Sequence, residues 1–377
     1  MNATKWTQLD TGERIAYDLV DGGALIVRCE TSASEVAIPH VLDGYPVTGL
    51  ADSSLSRLFT LKSLVLPNGL KSIGKDAFKS CVSLREVVLP ETLKSVGSGA
   101  FRSTALKRLV IPATCTDIAD DSFNLYGSYK TPPSTIRPSS LTSIVVKDGN
   151  TELAIEGGVL CRRHPNGLRA IACPNARQDV TLSGQIDSVS PPAFTGVEHM
   201  LTLRLSERLR PTTRDTVFPG NACDTLVIEC NDSSVLSQSM PSEDVARKTL
   251  ASLFRAQSVN IDQAISTFDN SLATVFDLPA LSRAMLDRLT SRRFPSPGTE
   301  PRYRRRISAS LDVICLEFAT SNYWNGFDQL FQCGLLDESN VTQIIDVLSQ
   351  FDETAAVGYL LQAKQQLFGK AGWDYAI

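Results

Sequence analysis

Histidine is scarce in this sequence: His40, His164 and His199 are the only three in 377 residues. Few imidazoles are therefore on hand for proton transfer or metal ligation. Only His164 has a cysteine near it in a suggestive spacing, Cys161-x-x-His164, with Cys173 twelve residues beyond Cys161. A zinc site built on these would lack a fourth ligand, and no acid stands beside His164 in sequence to orient a catalytic imidazole. The glycine pairs Gly22-Gly23 and Gly157-Gly158 sit in neither a G-x-G-x-x-G nor a G-x-x-x-x-G-K-[ST] frame, and there is no G-x-S-x-G elbow. No enzyme activity, catalytic residue, metal or small-molecule cofactor is expected.

Other absences narrow the class. No apolar stretch reaches the roughly 18 residues that a membrane-spanning helix needs. The opening MNATKWTQLDTGERIAY has no apolar run of the signal-peptide kind, so the expected location is cytoplasmic. A net charge of −4 and a pI near 5.6 argue against the broad basic surface of a dedicated nucleic-acid binder. The nine cysteines are odd in number and show no framework of short spacings, so they read as reduced thiols. Cys81 and Cys115 fall at apolar positions of a repeat, where core packing is expected of them.

That repeat is the main thing present. LKSLVLPNGLKSIGKDAF (61–78), LREVVLPETLKSVGSGAF (84–101) and LKRLVIPATCTDIADDSF (106–123) align column by column. Leu61, Leu84 and Leu106 share a column; Leu64, Val87 and Leu109 share the next, then Leu66, Leu89 and Ile111. Pro67, Pro90 and Pro112 follow, then Ile73, Val96 and Ile118, and Phe78, Phe101 and Phe123 close the unit. The x-V-x-L alternation predicts a short strand, which the proline ends. One such unit cannot bury its own apolar side, whereas stacked units can. The fold expected is an α/β solenoid of short parallel strands, one per coil. Degraded copies run upstream through Val36–Pro39 and downstream through 141–147, 200–206 and 224–229. Two insertions interrupt them: a Pro- and Tyr-containing loop at 124–140, and EGGVLCRRHPNGLRAIACP, read as a hairpin turning at Pro165-Asn166-Gly167.

The IPxxVxxIGxxAFxxCxxLxxVxLP texture resembles the BspA-like, or Treponema pallidum-type, leucine-rich repeats of bacteria. YDLVDGGALIVRCETSASEVAIPHVLDGYPVTGL is similar to that family's opening hairpin and first coil, and the inserted hairpin is similar to its recurrent DGVLY…L…YP element. The resemblance spans roughly residues 12–232. It implies the solenoid fold, and it includes surface adhesins that bind host proteins as one functional alternative.

After Asn231 the apolar spacing changes to three and four. Helices are expected from Pro241 onward through Leu253 and Phe254, over 261–275, over 281–289, from Ile307 to Phe318, and around 327–331, 341–348 and 354–368. The last two read as an antiparallel pair, and Gly334 and Gly369 stand at C-cap positions. RRFPSPGTEPRYRRR (292–306) reads as a linker. The domains expected are therefore 1–235, with a cap to about residue 35 and the hairpin at about 152–176, and an all-α domain over 236–377.

Two surfaces emerge as candidates. Strand residues between the buried ones should line one concave face: Val65, Val88, Val110, Val145, Arg204 and Val227 in one column, with Ser63, Glu86, Arg108, Ser143, Thr202 and Thr225 beside it. A protein partner binding through Val65, Glu86, Val88, Arg108, Val110, Val145 and Arg204, with the helical domain as a second contact, makes the chain a scaffold or interaction protein. Arg302, Arg304, Arg305 and Arg306, interleaved with Tyr303, form a basic cluster that would suit nucleic-acid phosphate or an acidic protein, and a regulatory role through it is the other alternative.

Overall fold

The computed structural model describes residues 4–123, 140–176, 178–182, 184–212, 217–218, 221–253, 259–272, 275, 278–291 and 299–368. The loop expected at 124–140 lies outside them except for Ser140, as do Phe254, Gly369 and the first seven linker residues. The chain divides into two compact units. One holds Met1–Cys223, Val227–Val235 and Arg247–Ala264; the other holds Asp224–Leu226, Leu236–Ala246 and Ile265–Ile377.

The first unit is a parallel β-solenoid. Strand Ser63–Val65 lies between Glu35–Ala37 and Glu86–Val88, with Val36, Leu64 and Val87 in register. Pro67, which cannot donate to a ladder, ends the strand. Each coil then makes a second, two-residue strand beyond the one legible in sequence: Ser72–Ile73, Ser95–Val96 and Asp117–Ile118 stack in parallel on Tyr45–Leu50. Main-chain bonds also join the turns that follow, Phe78 N–H to the Ala100 carbonyl at 2.8 Å and Ser80 N–H to Arg102 at 2.8 Å.

Two details explain the repeat's small residues. Gly97 lies so close to the preceding coil that a Cβ would stand 2.6 Å from the Lys75 nitrogen. The turns reach positive φ at Asp76 (55°), Ser80 (64°) and Ser103 (58°), a region short polar side chains tolerate better than branched ones. Inside, Leu61, Leu84 and Leu106 are wholly buried, and the phenylalanines stack, Phe78 on Phe101 at 5.1 Å and Phe101 on Phe123 at 5.7 Å. Such ring pairs add about 0.5–1.5 kcal/mol to their area burial.

The solenoid is opened twice in the same way. Lys5–Gln8, Arg14–Val20 and Gly23–Glu30 form an antiparallel meander whose last strand pairs in parallel with Tyr45–Leu50. Leu153–Glu156, Val159–His164 and Gly167–Ala172 form another, whose last strand pairs in parallel with Ile186–Val189. The inserted hairpin is thus a hairpin plus one strand, and it starts a second run of coils, with Val180–Leu182 on His199–Ser206 and Ile186–Val189 on Arg210–Pro211. Asp120, in the turn that ends the regular coils, ties the two runs together by accepting from Arg162 at 3.2 Å and Ser190 at 3.2 Å and by pairing its charge with Arg169 at 3.5 Å.

The described helices are α1 (Glu243–Ser252), α2 (Ile261–Ser271), α3 (Leu278–Thr290), α4 (Glu300–Ser308), α5 (Leu311–Thr320), α6 (Trp324–Gln332), α7 (Val341–Gln350) and α8 (Thr354–Phe368). Two expectations are corrected. Residues 300–308 are helical rather than linker: Pro301 sits in the first turn, where a missing N–H costs nothing, and Glu300 offsets the dipole there. The single helix expected through Ile307 and Phe318 is two. Ser310 leaves helical geometry (φ −137°, ψ 28°), yet the 3–4 spacing of Ile307, Leu311, Ile314 and Phe318 runs across the break and hides it. Gly334 (φ 64°) caps α6 as expected, with Leu335 N–H bonded to the Leu330 carbonyl at 2.9 Å and Gly334 N–H to Phe331 at 2.9 Å.

Candidate binding face

The strands that carry the proposed face are short and shallow, and their outward residues line up by register. Ser63 pairs with Glu86 and Val65 with Val88; one sheet further, Arg108 pairs with Ser143 and Val110 with Val145. Val65, Val88 and Val145 are 50%, 64% and 36% exposed, with Glu86 and Arg108 exposed beside them. Val110 is half-buried. Arg204 is half-buried as well and leans 3.5 Å from Glu229, which ties part of its charge down. Val227 departs from the expectation and is buried. Leu226, Val227 and Ile228 are buried in succession, so both faces of that strand are covered and alternation no longer marks an outward side.

Sequence reading passed over Phe59 and Val82, both more than half exposed. Each stands two residues before the buried leucines Leu61 and Leu84, in the same coils that carry Val65 and Val88. The signal was there, an apolar residue repeating at a turn position, but the third copy holds a buried Thr104 and breaks the column.

The cysteine–histidine constellation does not converge. Cys161 and His164 are three residues apart on one strand and so point to opposite faces. Cys161 and Cys173 are buried, and burial pushes both thiols up to about 12, which keeps them protonated and unreactive. His164 instead meets Asp187 across the sheet, Nε2 to Oδ1 at 2.9 Å, an acidic neighbour invisible in sequence because it arrives from Ile186–Val189, two strands away in the sheet. Among the described residues no group of three or more His, Cys, Asp or Glu side chains is placed to hold a metal. Cys81 and Cys115 are buried, and the Cys81 thiol donates to the Leu55 carbonyl at 3.0 Å.

The arginine cluster divides. Tyr303 is no exposed platform for a base: it is buried, Arg302 lies over its ring at 5.6 Å, and its hydroxyl donates to Asp269 at 2.8 Å. Burial and the Asp269 charge push its own proton affinity far up. Arg304 pairs with Glu300 at 2.8 Å and donates to the Cys333 carbonyl at the end of α6. Arg302 donates to the Asp269 carbonyl at 3.2 Å, while Arg305 and Arg306 are exposed in the last turn of α4. There they complement the helix dipole, the reverse of the opposition expected had the helix begun after them.

No helix among the described residues is long and apolar enough to cross a membrane. No curated protein matches the chain. Among solved structures it is similar to a leucine-rich repeat protein from Bacteroides capillosus, 24% identical over 38% of this chain and 98% of that one, with a TM-score of 0.31. It is also similar to a T. pallidum leucine-rich repeat protein, 19% identical over 38% and 78%, TM-score 0.26. A third is the pneumococcal vaccine antigen PcpA, 15% identical over 55% and 65%, TM-score 0.31. The family model for the BspA type leucine rich repeat region matches residues 48–147 in six copies. With the aligned strands, the proline stops and the stacked phenylalanines, that match makes this stretch of the chain a BspA-type leucine-rich-repeat region.

Proposed function

We propose that this protein is a non-enzymatic interaction or scaffold protein of the bacterial cytoplasm that binds a protein partner through the strand face of its solenoid. The observation that carries the reading is the register of Val65 against Val88, two exposed valines side by side on adjacent coils with Glu86 and Arg108 at their flank. Contiguous apolar surface rimmed by charge is what a protein partner covers at the centre of an interface. Leucine-rich repeats as a class go with protein–protein contact or a surface role, which agrees with this reading without naming a partner. A groove of about 520 Å3 between α6 and α8, lined by Phe331, Tyr359 and Leu367 among others, offers the helical unit a contact of its own.

The test is affinity capture from the source bacterium with the wild type and with a Val65→Asp, Val88→Asp variant shown by circular dichroism to be folded. Both side chains are exposed, so the charges should spare the core. Loss of a specifically enriched protein in the variant supports the reading. Identical capture by both proteins refutes it for this face. Cell fractionation tests the location separately: recovery with the envelope or medium would favour the surface-protein alternative.

A further inference from the structure

Helices α3 and α4, with Leu272 just after α2, line a small cavity with two chemically different ends. Its volume is about 160 Å3, and it is lined by Leu272, Leu281, Met285, Arg302, Tyr303 and Arg306. Leu272 just after α2, and Leu281 and Met285 on α3, are buried, as is the Tyr303 ring; together they make an apolar floor. Arg302 and Arg306 stand four residues apart on α4, and therefore on one face of it, with both side chains exposed at the rim. Arg302 spends one N–H on the Asp269 carbonyl at 3.2 Å. Arg306 makes no hydrogen bond or ion pair among the described residues.

The wall that carries these arginines is held firmly. Tyr303 hydroxyl donates to Asp269 at 2.8 Å, and the same carboxylate takes Arg288 Nε at 3.3 Å, all three side chains being buried. Glu300, the acid nearest in sequence, is paired with Arg304, so it does not neutralise the rim. Two guanidiniums over an apolar floor present a forked donor set that matches a carboxylate. The size fixes the rest of the ligand, since an apolar protein cavity of about 150 Å3 accepts a benzene ring.

We propose that this cavity binds a monocarboxylate with an apolar body about the size of one six-membered ring, its carboxylate held by Arg302 and Arg306. Two sources share that chemistry: a free aromatic acid, and the C-terminal residue of a peptide ending in phenylalanine or leucine. The inference is independent of the strand face, which belongs to the other unit.

The experiment is a titration of the full chain, followed by NMR or calorimetry, with four probes: benzoate, its neutral counterpart benzyl alcohol, N-acetyl-Ala-Ala-Phe with a free C-terminus, and the same peptide amidated. Arg306→Gln is the test variant, and Arg305→Gln, which removes the same charge from an exposed position outside the lining, is the control. The expected result is saturable binding of benzoate or the acid peptide, weakened about tenfold by Arg306→Gln and left unchanged by Arg305→Gln. Benzyl alcohol and the amidated peptide should bind at least tenfold more weakly than their acids. Tighter binding of the acid peptide than of benzoate assigns the peptide source, and the reverse assigns the free acid. The proposal is overturned if neither acid saturates, if the neutral probes bind as well as the acids, or if both variants weaken binding equally, which would mean diffuse charge attraction.

Discussion

The two units are stabilised by opposite logics. In the solenoid one solution is used again and again: a leucine inward, a proline stop, a glycine where coils touch, a phenylalanine on a phenylalanine. The helical unit shows no such repeated column among its described residues. Asp269, Arg288 and Tyr303 meet from three helices in a buried network that has no second copy among the described residues. Repetition spreads energy over many equivalent sites, whereas a unique network concentrates it.

The sharpest way to break this contrast is Asp269→Ala. It removes the carboxylate that pairs with the buried Arg288 guanidinium, which has 4% of its side chain exposed, and the acceptor of Tyr303. A loss of about 3–5 kcal/mol is expected from breaking a buried ion pair by removing one partner. Chemical denaturation measures it, and a change under 1 kcal/mol would show the network to be decorative. Tyr303→Phe keeps the ring and drops only the hydroxyl, so about 1 kcal/mol is expected of it.

Phe101→Ala addresses the other side of the comparison. Phe101 is stacked on both sides, Phe123 on one among the described rings. Truncation of a buried phenylalanine costs about 3–5 kcal/mol, and Phe101→Ala should fall above Phe123→Ala within that range. Equal losses at the two positions would mean that ring stacking between coils contributes little and that each coil fills its own core.

Repetition also decided what was legible. The solenoid could be read because a single register repeats in print, and columns such as Ile73, Val96 and Ile118 announce themselves. Its second strand escaped notice because two residues are too few to show alternation. In the helical unit the spacing of apolar residues found most of the helices, yet it ran through the break at Ser310 and missed α4, whose polar, arginine-rich face looks like a linker. The candidate sites followed the same rule. Val65 and Val88 were readable as a column, while Asp187 beside His164 and Asp269 beside Tyr303 come from elsewhere in the chain, and only folding brings them there.

Alkali separates the units by a smaller margin. Burial pushes Cys29, Cys115, Cys161 and Cys173 in the solenoid up to about 12 and Cys81 to about 11, from an ordinary 9.0; in the helical unit it pushes Cys315 to about 12 and Cys333 upward. The folded chain holds protons that the unfolded chain releases, so this contribution to stability is complete below pH 9 and drains away between pH 9 and about 12. With more such thiols, the solenoid should lose stability the more steeply. Unit-resolved hydrogen exchange at pH 8 and pH 10 measures this, and equal losses would remove the thiols as its cause.

The smallest effect on stability belongs to the residue given most weight in function. Val88 is 64% exposed on a strand whose neighbours are equally shallow, so Val88→Asp should shift stability by no more than about 0.5 kcal/mol, with some loss of strand preference included. The same substitution places a carboxylate beside Val65 on the adjacent coil, at the middle of the proposed contact. A charge buried there without a partner would weaken binding by a hundredfold or so if it cost about 3 kcal/mol. A repeat column conserves structure by its inward residues and is free to vary outward, so a large binding loss with unmoved stability is the signature of a face put to use. Measured together on one variant, the two quantities separate a working surface from a strand that is valine-rich only because valine suits strands.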